Sequence, residues 1–124
     1  MNVYAIEESL CNWLLDLGYK VAQEPTTPID AGQVAVFFTR AEVEDSAYPN
    51  QYKFTAHFEL VFVEKERSNC FSKITAILQN ISPTILGGGV VVFIEGVETR
   101  EKEEGEPYYA MALLLSVIYF GNEL

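Results

Sequence analysis

The sequence predicts a single α+β domain over residues 1–124, built from an antiparallel sheet of about four to five strands with two helices packed on it. Three observations predict this fold. Apolar residues recur at helical spacing in two separate segments, one stretch between them alternates apolar and more polar side chains, and two apolar stretches close the chain. The resulting order is α-β-β-β-α-β-β, with the helices grouped on one face of the sheet.

The first helix is predicted over residues 2–17. Asn2 is a candidate N-cap, and Gly18 suits the left-handed backbone that often ends a helix. YKVAQ then predicts a short edge strand, and EPTTPIDAGQ predicts a loop because its prolines cannot donate to a sheet. The apolar face of the helix consists of Ile6, Leu10, Trp13, Leu14 and Leu17.

Two strands follow, one around Val34 to Glu42 and one after the turn SAYPN. The second has the clearest pattern in the chain, because a period of two over this length puts one side inward. A shift of one residue would expose its aromatic side chains, so the pairing is strongly specified. Its inward residues are Tyr52, Phe54, Ala56, Phe58, Leu60 and Phe62, and they alternate with Gln51, Lys53, Thr55, His57, Glu59 and Val61.

The second helix lies within ERSNCFSKITAILQNISPTIL, with Ser68 as a candidate N-cap and Pro83 as its stop. A strand from Val90 to about Lys102 follows, EGEP turns the chain, and the last strand ends the fold. The hairpin near 98–107 is predicted to project as a charged arm. The buried stripe of the helix is predicted to be Phe71, Ile74, Ile77, Leu78 and Ile81.

The last strand is apolar on both faces, whereas an open antiparallel sheet usually meets water on one face. Either the strand is central and a long loop or the first helix covers its second face, or another subunit buries that face. We favour the second explanation. The predicted subunit interface consists of Tyr108, Ala110, Ala112, Leu114, Ile118 and Phe120.

The chain is strongly acidic, with a net charge of −10 from 18 acidic and 8 basic residues. A surface of this sign repels phosphate, which disfavours binding to nucleic acid or to anionic membranes. The acidity serves either solubility or a passage through which a polyanion slides without sticking. Cys11 and Cys70 show no metal-binding spacing and are expected to be reduced. No signal peptide or membrane helix is visible, so we expect cytoplasmic synthesis.

Candidate catalytic residues are few. His57 is the only histidine, and it is predicted to be a surface residue on the polar side of its strand with no nucleophile beside it. The triple glycine at 87–89 follows a helix and lacks the lysine of a phosphate-binding loop, so it predicts a turn. Glutamates of the hairpin predict a solvated arm rather than a cation cage. The sequence therefore predicts no enzyme, and no catalytic, cofactor-binding or metal-binding residues.

The chain resembles the tail terminator, or tail completion, proteins of long-tailed bacteriophages and prophages. The resemblance is carried by the helices YAIEESLCNWLLDLGYKV and SNCFSKITAILQNI, the alternating strand QYKFTAHFELVFVEK, and the closing hairpin from Val90 to Phe120. It implies a small α+β subunit of a hexameric ring that caps the tail tube and joins it to the head connector. It also implies location in the virion tail or neck and no cofactor. Other small neck proteins of virions share this layout.

Under this resemblance the partners are further copies of the chain, tail-tube proteins and head-connector proteins. The charged arm would then contact a partner through Arg100, Lys102 and Glu104. One alternative is a small-ligand-binding or enzymatic domain, with a pocket between sheet and helices lined by Tyr52, Phe58, Tyr108 and Tyr119. Another is an inhibitor whose acidity mimics nucleic acid.

Overall fold

The computed structural model describes residues 1–22, 29–100, 105 and 107–124. These residues form two helices and five strands in the predicted order, α-β-β-β-α-β-β, which confirms the α+β class. The elements are α1 (Val3–Asp16), β1 (Lys20–Val21), β2 (Gln33–Asp45), β3 (Tyr52–Glu64), α2 (Arg67–Asn80), β4 (Val91–Arg100) and β5 (Tyr109–Gly121).

The five strands form one sheet in the order β1-β2-β3-β5-β4. The β2–β3, β3–β5 and β5–β4 pairs are antiparallel, as predicted, but β1 runs parallel to β2, so the sheet is mixed. The prediction of a purely antiparallel sheet is therefore wrong at this edge. The prediction failed at this edge because β1 pairs only two residues, Lys20 and Val21, and so short a segment carries no pattern that fixes its direction.

Helix α1 begins where it was predicted to begin. The Asn2 side chain accepts a hydrogen bond from the backbone N–H of Ala5 at 2.8 Å, which satisfies one of the free donors of the first turn. After the helix, Gly18 adopts a φ of 93°, a conformation that glycine enters without steric cost. Of the predicted apolar face, Trp13 is half-buried and Leu17 is exposed at the end of the helix. The buried residues are Val3, Ile6, Leu10 and Leu14.

Helix α2 is rotated relative to the prediction. It begins at Arg67 after Glu66, which makes no side-chain capping bond, so Ser68 lies inside the first turn instead of capping it. The thiol of Cys70 lies 3.7 Å from the carbonyl oxygen of Phe62 and is buried against β3, whereas Phe71 is exposed. Burial raises the pKa of the Cys70 thiol, since the thiolate would lose hydration there. The buried residues are Cys70, Ile74 and Ile77, whereas Phe71 and Leu78 are exposed and Ile81 is half-buried.

Both helices pack on the same face of the sheet. The alternation of β3 is confirmed, because its predicted inward residues from Phe54 to Phe62 are buried there, while Tyr52 at the strand end is exposed. The aromatic rings of Phe54 and Tyr119 stack with their centroids 4.9 Å apart, in agreement with their direct pairing between β3 and β5. Burial of each large apolar side chain contributes roughly 1.5–3 kcal/mol before conformational entropy is considered.

Candidate interaction surface

The face of the sheet opposite the helices is the candidate site, and we call it the open face. Within the described residues neither helix packs on it, so α1 does not cover the second side of β5. The first explanation also allowed a long loop, and Ile29 of the loop before β2 does pack there against Val61, Val63 and Ala112, so the chain itself covers part of this face. β5 lies between β3 and β4, and every second residue projects onto the open face. These residues are Ala110, Ala112, Leu114, Ser116, Ile118 and Phe120.

At one end of the open face lies a concave depression of about 790 Å³, which we call the apolar cup. Its floor contains Val61 and Val63 of β3, which pack with the fully buried Ala112. Tyr108, just before β5, and Ala110 of β5 form part of its wall. The predicted interface residues Tyr108, Ala110, Ala112 and Leu114 therefore belong to one apolar cluster, completed by Ile29, Phe37, Val61 and Val63.

At the other end lies a group of apolar side chains, which we call the aromatic end. It consists of the half-buried Ile118 and the exposed Phe120, together with the exposed Phe93, which stands beside Ser116 at the level of His57. Phe120 is 58% exposed and Phe93 is 45% exposed, so these rings are left in water by the fold of the single chain. The predicted interface is thus divided into two apolar regions, which lie at opposite ends of β5.

Between these regions His57 is held by two carboxylates, and we call Glu42, His57 and Glu95 the His57 clamp. Nε2 of His57 lies 2.5 Å from a carboxylate oxygen of Glu42, and Nδ1 lies 2.5 Å from one of Glu95. His57 lies on the predicted face of its strand, but its side chain is largely covered, with only 12% of it exposed. The strand and face of His57 were predicted correctly, but the two carboxylates that cover it come from β2 and β4, far away in the sequence.

Two irregularities in the sheet bring the His57 clamp together. The β2–β3 register shifts between Phe38 and Arg40, and the β4–β5 register shifts between Ile94 and Gly96, leaving Glu95 in the bulge. Extra residues of this kind re-aim side chains locally. No signal in the sequence locates these bulges, although Gly96 is a residue type that often accompanies them.

The His57 clamp contains two carboxylates and one histidine, and Arg40 adds a positive charge beside Glu42. The pKa of the Glu42 carboxyl is lowered, mainly because the carboxylate accepts a hydrogen bond from His57, and the positive charges of His57 and Arg40 add to this effect. Arg40 lies 2.9 Å from Glu42. Nε2 of His57 is within hydrogen-bond distance of Glu42, whereas the buried Nδ1 lies close to Glu95 without forming a hydrogen bond.

The His57 clamp is a bridge and does not form a convergent site. The carboxylates lie against opposite ring nitrogens, so the three groups do not point to one position where a cation could bind. Across the described ranges, no group of three acidic, histidine or cysteine side chains could hold a metal ion. Among the described residues, the ring nitrogens of His57 contact Glu42 and Glu95 and do not contact a hydroxyl group that His57 could activate.

Arg100, predicted to contact a partner from a charged arm, lies at the rim of the apolar cup. Its guanidinium lies 2.6 Å from Glu59 of β3 and 2.8 Å from Glu98. The hydrogen bond to Glu59, followed by that to Glu98, raises the pKa of Arg100. Residues 98–100 of the predicted arm are paired with β5, whereas Lys102 and Glu104 lie outside the described residues. Contact of Arg100 with a partner remains a prediction.

The alternative pocket between sheet and helices is not formed by its four predicted residues. Phe58 and Tyr119 are buried in the core on the helix side, Tyr52 is exposed at the strand end, and Tyr108 lies on the open face. Glycines 87–89 form the predicted turn between α2 and β4, each with a positive φ.

No protein-family model matches the chain, and no curated protein matches it closely enough to be a relative. In the described part of the chain, neither helix is both long and apolar enough to cross a lipid bilayer.

Proposed function

We propose that this chain is a structural subunit that self-assembles through the open face, in the role of a phage tail terminator. The observation that carries the proposal is the apolar character of a sheet face on which the described helices do not pack. Such a face is expected to be covered by another chain, since contiguous exposed apolar patches beyond a few hundred Å² usually mark interaction sites. A second copy of this chain is the occupant that we propose.

The open face has the composition of an interface core. Phe93 and Phe120 project from it, and the apolar cup offers a concave surface for such anchors. Ala110 of β5 is small and half-buried, which allows a neighbour to approach the sheet closely there. Burial of these side chains against a second copy would contribute about 25 cal/mol for each Å² of apolar surface removed from water.

The acidic charge suits the proposed position in a virion. In the proposed role the chain forms a ring on the tail tube and contacts tube and head-connector proteins. DNA passes along the axis of such an assembly, and a protein with a net charge of −10 would repel its phosphates instead of retaining them. No catalytic residue is needed for this role.

Self-association is tested by sedimentation equilibrium of the full chain over a wide concentration range, with electron microscopy of any oligomer. We expect a closed oligomer, and Phe120→Ser is expected to weaken it because it removes an exposed ring from the aromatic end. Tyr4→Ser is the matched control, since Tyr4 is an exposed aromatic on the opposite, helical side. A chain that stays monomeric at every concentration, alone and with purified tail tubes, would contradict the proposal.

The apolar cup favours a second candidate, the binding of a small apolar ligand. Its volume of about 790 Å³ falls in the usual range of ligand sites, and Glu59, Thr39 and Arg100 give its rim a few polar groups. A hydrophobic fluorescent dye tests this candidate. Dye binding at one site per chain that is abolished by Val61→Glu would support ligand binding in the apolar cup. Dye binding that is also abolished by Phe120→Ser would contradict it.

A further inference from the structure

β4 is the outermost strand on its side of the sheet, and it pairs with β5 along one side. The loop before β4 occupies the outer side at Val92, whose N–H donates to the carbonyl oxygen of Pro83 at 2.8 Å. Backbone groups alternate in direction along an antiparallel strand, so Ile94, two residues further, also directs its N–H and C=O away from β5. Beyond Val92, no strand in the described part of the chain lies beside this outer side.

The opposite edge of the sheet is also largely open. β1 pairs with β2 only at Gln33 and Val34, so residues 35–45 of β2 have β3 on one side and no described strand on the other. A strand edge of this kind presents a row of backbone donors and acceptors. The partner that completes such a row is another strand, which adds to the sheet through main-chain hydrogen bonds.

We propose that β4 of one copy pairs with the free edge of β2 of the next copy, which joins their two sheets into one. This inference rests on the proposed self-assembly, but it uses the edges of the sheet instead of the open face. Within one chain β4 runs opposite to β5, β5 opposite to β3, and β3 opposite to β2, so β4 and β2 point in opposite directions. A neighbour in the same orientation therefore presents its β2 antiparallel to β4.

Exposed apolar side chains lie at both edges on the helix side of the sheet. Ile94 and Val97 of β4 stand opposite fully buried leucines of β5, and Val43 of β2 stands opposite the buried Phe54. α2 packs on β3 and β5, and α1 packs on β1 and β2. Ile94, Val97 and Val43 all remain exposed in the single chain. A strand added at either edge would cover them.

One register of the proposed pairing matches these side chains. It places Ile94 beside Val43 of the neighbour and Val97 beside Ala41, which stands opposite a buried residue of β3 on the same helix side. The step is three residues along β4 and two along β2. The difference is the extra residue of the β4 bulge, Glu95, so the bulge keeps the side chains of both strands on matching faces.

The same register also fits the charges of the two edges. It places Glu98 beside Arg40 of the neighbour, and both lie on the open face, where opposite charges at paired positions stabilise a sheet. Glu42 then stands beside Gly96, and Glu44 stands beside Phe93. No two of these acidic residues are directly opposite each other. Because each copy has one edge of each kind, the contact repeats from head to tail, which builds a ring when the rotation between copies closes.

Disulfide cross-linking tests the pairing directly. Val43→Cys and Ile94→Cys chains, both also carrying Cys11→Ser, are mixed under mild oxidation, and mass spectrometry identifies the linked peptides. We expect a disulfide between position 43 of one chain and position 94 of another. Leu78→Cys, at an exposed apolar position of α2, replaces Ile94→Cys as the control and is expected to stay unlinked. Links between two Ile94→Cys chains in place of the mixed link would show that β4 pairs with itself and would overturn the inference.

Sedimentation equilibrium of Ile94→Lys measures the contribution of the edge. We expect the association constant to fall on the order of tenfold or more, because a lysine on an edge strand opposes pairing with another strand. Leu78→Lys adds the same charge on α2 and is expected to keep the association of the wild-type chain. Equal weakening by both variants would assign the effect to charge alone and would overturn the inference.

Comparison with Phe120→Ser separates the edge pairing from the open face. If Phe120→Ser weakens association while Ile94→Lys does not, and no mixed disulfide forms, the edge pairing is overturned and assembly through the open face stands. If Ile94→Lys weakens association and Phe120→Ser does not, the edge pairing stands and the open face is not the interface. A chain that is monomeric at every concentration and forms no mixed disulfide would overturn both.

Discussion

Ser116 of β5 stands directly opposite His57 of β3, and in the other direction it stands opposite Phe93 of β4. Its small side chain is buried beside an imidazole whose Nδ1 contacts Glu95 from the far side of β5. A larger residue at this position would occupy the space that the Glu95 side chain crosses. We therefore expect the size of residue 116 to affect the contact between His57 and Glu95.

Ser116→Leu is expected to break the contact between His57 and Glu95. We expect a loss of about 1–3 kcal/mol in the free energy of unfolding, because the added methylene groups enter a filled space. Urea denaturation measures the change. Ser116→Ala removes the hydroxyl without adding volume and is expected to stay near the wild-type stability. Equal stability of Ser116→Leu and Ser116→Ala would show that the position tolerates bulk.

Glu42 gives a prediction for acid stability. Its pKa is lowered in the folded state, mainly by the hydrogen bond from His57, so the folded protein binds a proton there less readily than the unfolded chain does. The stabilisation is therefore present above the ordinary carboxyl pKa of about 4.3 and is lost as the pH falls through the lowered value. The measurement is the urea midpoint of the wild-type chain and of Glu42→Gln from neutral pH downward.

The difference in stability between these two chains is expected to shrink in acid. Glu44→Gln is the control, because it makes the same charge change two residues further along β2 at an exposed position. If the difference between the wild-type chain and Glu42→Gln stayed constant into strong acid, the contact with His57 would not be the source of the stabilisation.

The rotation of α2 is tested by a pair of substitutions. Ile74 is buried against the sheet, whereas Phe71 is 46% exposed and lies under the guanidinium of Arg67 at 5.0 Å. Ile74→Ala is expected to lower the free energy of unfolding by about 2–5 kcal/mol, because it leaves a cavity. Phe71→Ala is expected to lose about 1 kcal/mol or less, the size of an exposed cation–π contact. Thermal unfolding of both variants measures the difference. A larger loss of stability in Phe71→Ala than in Ile74→Ala would support the buried stripe that the sequence predicted.

The sequence predicted the elements that repeat a pattern over many residues. The alternation from Phe54 to Phe62 identified the buried side of β3, and the helical spacing of Ile6, Leu10 and Leu14 identified the buried side of α1. Features set by one or two residues were missed. The parallel pairing of β1 depends on two residue pairs, and the position of Glu95 depends on a bulge that leaves no mark in the spacing of apolar residues.

The candidate site was only partly predictable for the same reason. The double apolar pattern of β5 predicted a second apolar face, and β5 does place Ala112, Leu114 and Phe120 on the side away from the helices. The pattern did not predict that the polar residues of the His57 clamp lie within that face. His57 lies 15 residues from Glu42, and contacts across strands of this kind depend on sheet order and register, which the sequence did not supply.

The ion pair between Arg100 and Glu59 connects β4 to β3 over the intervening strand β5 at the rim of the apolar cup. Arg100→Gln, Glu59→Gln and the double variant form a thermodynamic cycle that isolates the energy of this pair. Because both side chains are partly exposed, we expect a coupling energy of about 0.2–1 kcal/mol that decreases with added salt. Urea denaturation at low and high salt measures this coupling energy. Glu98→Gln shows how far Glu98 replaces Glu59 as a partner of Arg100. A coupling energy of zero at low salt would show that the contact between Arg100 and Glu59 does not contribute to stability.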